Sequence, residues 1–116
     1  MSVTDDKELY ELIFDHLCEE QPEAVADLRD NEIMSRVHLG VDRARAHGLD
    51  TDGSITAFVT LMFLVAPNFD EQPDIRKALE DAALPPDERM QQIFAKTKES
   101  DWDEAGENAR PWSDLA

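Results

Sequence analysis

Apolar residues recur along most of this chain at intervals of three and four, and one stretch breaks that rhythm. From Ser54 to Pro67 the sequence reads SITAFVTLMFLVAP, with no charged residue and apolar side chains on every face a helix would present. A helix apolar all round predicts a central element buried among others. The stretch is shorter than the roughly 20 apolar residues of a membrane span. It therefore reads as the core helix, over residues 54–66.

The flanking pattern is one-sided. Over Val3–Glu20, Leu9, Leu12, Ile13 and Leu17 share a helical face with Phe14 beside them, and Thr4, Asp5 and Asp6 suit its start. Pro22 opens a short stub that turns Ala24, Val25 and Leu28 inward. Capped by Asp30 or Asn31, a longer helix carries Ile33, Val37, Val41 and Ala44, with Met34 nearby, as far as Gly48. Gly48 is placed for a left-handed C-terminal cap, and the short Gly48–Asp52 link predicts that the next helix packs back antiparallel. Asp50-Thr51-Asp52 supplies the cap of the central helix, and Pro67 its end.

Two further starts contain proline, Gln72-Pro73-Asp74 and Pro85-Pro86-Asp87-Glu88. Their inner faces are Ile75, Ala78, Leu79 and Ala82 in one, and Met90, Ile93 and Phe94 in the other. No segment alternates as a strand would, and no internal repeat is present. The expected fold is all-α, a compact bundle of about five helices plus the stub around the central apolar helix. A single domain over 1–98 follows, with 99–116 as an acidic, Trp-containing, partly flexible segment.

Charge narrows the function classes. With 27 Asp and Glu against 11 Lys and Arg, the net charge of −16 repels nucleic acid and anionic membranes and attracts basic proteins. The start, MSVTDDKELY, lacks a basic region followed by an apolar one, so the expected location is cytoplasmic. Cys18 is the sole cysteine, which excludes an intrachain disulfide and a cysteine-based zinc cluster; it reads as a small core or boundary residue. His16, His38 and His47 do not share one helical face as a metal pair would. Asp50-Thr51-Asp52-Gly53 departs from a calcium loop, which needs a bidentate Glu where Leu61 stands. Neither a nucleophile elbow nor a phosphate-binding glycine loop occurs. No catalytic residue, metal or cofactor is expected, and the chain reads as a non-enzyme.

Two features point instead to a protein partner. Arg29, Arg36 and Arg43 lie seven apart and form a basic stripe if their helix extends back to Arg29. The stripe either neutralises acidic helices within the molecule or meets an acidic surface of a partner or of the tail. Beyond Lys98, Asp101, Trp102, Asp103 and Glu104 cluster an aromatic among acids, with Trp112 following after Pro111. Trp102 is either a lid on Met90 and Phe94 or, with Trp112, an anchor for docking. Those eight residues are the candidate partner-binding set.

Gly40 to Ala44, Gly48 to Asp52, Leu61-Met62 and Ala66-Pro67-Asn68-Phe69-Asp70 together carry a resemblance. In this order they are similar to the pattern of a family of short, uncharacterised acidic proteins found with spike and effector genes of bacterial type VI secretion systems. The resemblance spans roughly residues 9–100 and implies an accessory protein of a toxin-delivery locus. An adaptor or chaperone for an effector or spike is the first expectation. An immunity protein that covers a toxin's basic active site is the alternative.

Overall fold

A computed structural model describes residues 6–115, and among them every regular element is helical. The first helix, α1 (Asp6–Glu20), buries Leu9, Ile13 and Leu17; the start expected at Thr4 and Asp5 lies outside the described residues. Pro22 begins the stub α2 (Pro22–Val25), which contributes Val25 to the core. Next comes α3 (Asp30–Ala46), whose inner face of Ile33, Val37, Gly40, Val41 and Ala44 is the expected one. Gly48 then adopts φ 85°, the left-handed conformation a helix C-cap favours in glycine.

The central helix is α4 (Asp52–Leu64). Its start is fixed by Thr51, whose Oγ1 accepts from the Ser54 N–H at 3.1 Å while the Thr51 N–H donates to Ser54 Oγ at 3.3 Å. This reciprocal cap draws the helix two residues earlier than the apolar run predicts. Ile55, Phe58, Val59, Leu61 and Met62 are buried, but Leu64 is 49% exposed, so the sheath around α4 is open on one flank.

The five residues 47–51 turn the chain back, and α4 runs beside α3 at close range. A Cβ built on Gly40 would stand 2.8 Å from Val59 Cγ2 and 3.3 Å from Met62 Sδ, so glycine is what lets these two helices approach. Phe69, in a 3-10 turn over Phe69–Glu71, packs its ring on Phe58 with centroids 4.9 Å apart.

Beyond that turn lie α5 (Pro73–Leu79) and α6 (Pro86–Lys96), both with proline in the first turn as expected. Ala82 falls outside α5 and is exposed, so its expected place on the inner face is corrected: the helix already ends at Leu79. Arg89 of α6 donates from Nε to Leu84 O at 2.8 Å, and its Nη1 approaches His47 O at 3.4 Å and Leu79 O at 3.5 Å. A cation beside the carbonyl ends of α3 and α5 ties three elements together.

Glu99–Glu107 forms a further helix, α7, with Ala105 buried and Trp102 packed against the core, and Trp112–Leu115 adds a last 3-10 turn. The expected bundle therefore gains a helix that composition alone assigned to a partly flexible segment.

Candidate functional site

The eight expected partner-binding residues divide by where their side chains point. Arg43 is turned inward. Its Nε and Nη2 each donate to the carboxylate of Asp70 at 2.8 Å, and the Asp70 side chain is 2% exposed. His47 Nε2 lies 2.6 Å from the same carboxylate. Burial works against the Asp70 charge most strongly, but the His47 and Arg43 hydrogen bonds and the neighbouring positive charge outweigh it, leaving the carboxyl below its ordinary value. Arg36 stands 5.4 Å over the Trp112 ring, a cation–π contact, and that ring also packs on Phe63 at 5.0 Å. Arg29 is exposed at the start of α3, where its N–H donates to Glu32 Oε1 at 3.0 Å. Two of the stripe's three arginines are thus engaged within the molecule, while Arg29 stays exposed.

The segment over α7 is engaged likewise. Gln72 is buried, and its Nε2 donates to Asp101 at 3.2 Å and Glu104 at 3.1 Å while its Oε1 accepts from the Ile75 N–H that begins α5. Asn68, also buried, donates to Asn108 O at 3.0 Å and accepts from the Arg110 N–H at 2.8 Å. Trp102 is half-buried beside Leu64 and Val65, and neither Met90 nor Phe94 shares that recess with it. Of the acids named, Asp103 alone is exposed with no side-chain partner among the described contacts. On this geometry the polar atoms of 99–112 satisfy the buried amides of Gln72 and Asn68, which would otherwise be orphaned.

What remains open is a groove that sequence periodicity pointed away from. The large apolar side chains left most exposed among the described residues are Leu12 at 49%, Leu64 at 49% and Phe94 at 55%, and all three border one concavity of about 730 Å³. Leu12 and Phe94 were expected to face inward; no helix arrives to cover them, and that expectation is corrected. On α1 the wall continues at Asp15, His16 and Glu19, the i+3, i+4 and i+7 neighbours of Leu12. On α4 it runs from Asp52 through Ala57 and Leu61 to Leu64. The lining holds three carboxylates, Asp15, Glu19 and Asp52, and no Lys or Arg.

Chemically, this is a wetted apolar trough with an anionic rim. Among the described residues no three His, Cys, Asp or Glu converge as a metal site would require. Cys18 is half-buried; burial, then the nearby Asp30, Asp15 and Glu19, push its thiol above the ordinary value, away from thiolate reactivity. Among the described residues no helix is long and apolar enough to cross a membrane.

Comparisons with protein-family models, with curated proteins and with solved structures each return no match.

Proposed function

We propose that this chain is a non-catalytic protein-binding module, acting in the cytoplasm as an accessory adaptor or chaperone for a type VI secretion effector or spike component. The observation that carries the binding role is the convergence of Leu12, Leu64 and Phe94 on one acid-rimmed groove. Large apolar side chains scattered singly need no explanation, but three sharing a concavity form a patch that water solvates poorly. Covering the exposed half of each contributes on the order of 1 kcal/mol per side chain to association. The net charge of −16 adds long-range attraction toward a basic partner. The secretion context rests on the resemblance over Gly40–Asp70.

The test is co-purification of the tagged chain with the products of neighbouring effector and spike genes, at low and high salt. Recovery of one of them, weakened by salt and by Leu64→Ser, is expected. Recovery of none contradicts the adaptor role.

The exposed carboxylates favour one second reading, an immunity protein that masks a toxin's basic, phosphate-binding active site. Co-expression separates the two. An immunity protein restores growth to cells that make the toxin, whereas an adaptor alters delivery and leaves intoxication intact.

A further inference from the structure

We infer that the groove between α1, α4 and Phe94 takes a single amphipathic, cationic α-helix of about three turns from a partner protein. This rests on the reading of the chain as a protein-binding module and adds the class of element it holds.

Length is the first argument. The α4 wall from Asp52 to Leu64 is about 18 Å long at 1.5 Å per residue, and the α1 wall from Leu12 to Glu19 about 10 Å. A helix of about 12 residues spans the longer wall.

Hydrogen bonding is the second. Both long walls are helices, whose backbone N–H and C=O groups bond within the element, so an extended peptide finds no sheet edge to join. The hydroxyls that face the trough are also engaged: Thr56 donates to Asp52 O and Thr60 to Thr56 O, each at 2.7 Å. A strand lying here would bury unpaired backbone groups, whereas a helix arrives with its own already paired.

Charge is the third. Asp15 and Glu19 on one wall and Asp52 on the other flank an apolar floor at Ala57 and Leu61. Lys or Arg beside an apolar stripe complements both. A second copy of this chain does not, because it brings another −16.

The experiment titrates the isotope-labelled full chain with a 14-residue Leu/Lys peptide whose leucines fall at i, i+3, i+4 and i+7, following amide resonances. Two controls have the same composition, one scrambled and one with two central residues exchanged for proline. The expected result is shifts concentrated at Leu12, Thr56–Leu64 and Phe94, affinity at least tenfold above both controls, and a tenfold loss with Leu64→Ser, whose circular dichroism matches the parent. Equal affinity for the scrambled peptide, or shifts spread over the whole acidic surface, overturns the proposal by reducing it to charge attraction. Equal binding of the proline peptide in the groove overturns the helix and leaves a binding module that takes extended segments. Silence of the groove toward all three peptides also overturns the proposal, while co-purification decides separately whether the chain is a binding module.

Discussion

Arg43 and Asp70, 27 positions apart, meet through two guanidinium nitrogens on one buried carboxylate, and His47 completes the enclosure at 2.6 Å. Asp70→Asn removes the anion and leaves Arg43, 24% exposed, without its partner. The expected loss is about 1–3 kcal/mol at neutral pH, kept to that range by the solvent Arg43 can still reach. The folded-state pKa of Asp70 lies below its ordinary 3.8, so its contribution is fully present above pH 3.8 and is lost as pH falls through the lower, folded-state value. Denaturant unfolding at several pH values should show parent and Asp70→Asn well separated at pH 7 and converging below pH 3.8. A separation that stays constant to pH 2 contradicts the ion pair. Comparing the two removes the general relief of acidic self-repulsion, which acts on both.

Gly40 and Gly106 predict opposite signs for the same substitution. A Cβ on Gly40 meets Val59 at 2.8 Å, and Val59 is buried and branched at Cβ, so it cannot swing aside. Gly40→Ala should lower stability by about 1 kcal/mol or more, overpacking outweighing the better helix propensity. Gly106 has nothing nearer than 4.0 Å, and Gly106→Ala should raise stability by about 0.5 kcal/mol. A Gly40→Ala midpoint that rises along with that of Gly106→Ala would contradict the close α3–α4 approach.

Truncation after Lys98 should lower the melting temperature. It uncovers the core beside Trp102 and Ala105 and removes the partners of buried Asn68 and Gln72. An unchanged midpoint would return residues 99–112 to the role of a dispensable tail.

Arg89 offers a check on the joint between α3, α5 and α6. Arg89→Met keeps most of the stem while removing the donors to Leu84, His47 and Leu79 carbonyls. A loss of about 1–2 kcal/mol is expected from these charge-assisted contacts, read from the denaturant midpoint. No loss would mean that Met90, Ile93 and the Thr51–Asp87 hydrogen bond suffice to hold α6.

Local pattern accounts for much of this architecture. The all-round apolar run becomes α4, the three-and-four spacing becomes the buried faces of α1 and α3, and Gly48 caps as its type requires. What pattern could not carry depends on partners far along the chain. Gln72 finds Asp101 and Glu104 about 30 residues away, and Asn68 finds Asn108 at a separation of 40, so α7 looks like a solvated acidic tail until those pairings are known. Periodicity likewise identifies Leu12 and Phe94 as facing a neighbour without saying whether this chain supplies it. The same ambiguity concealed the groove. Phe94 sits beside buried Ile93, and Leu12 beside buried Ile13, so each reads as the edge of a core face. The arginine stripe shows the reverse case, in which a regular seven-residue spacing coincides with three unrelated local roles.

On the proposed function, Leu12, Leu64 and Phe94 are apolar for a partner's sake and not for the fold's. Equilibrium denaturation of the double variant Leu64→Ser/Phe94→Ser, set against Phe58→Ala, tests it most directly. Phe58 is fully buried, and its truncation should cost about 3–5 kcal/mol. The groove variant, altered at two half-exposed sites, should lose about 2 kcal/mol, well below Phe58→Ala per side chain removed. A loss equal to that of Phe58→Ala would place the groove in the core and contradict its assignment as a binding surface.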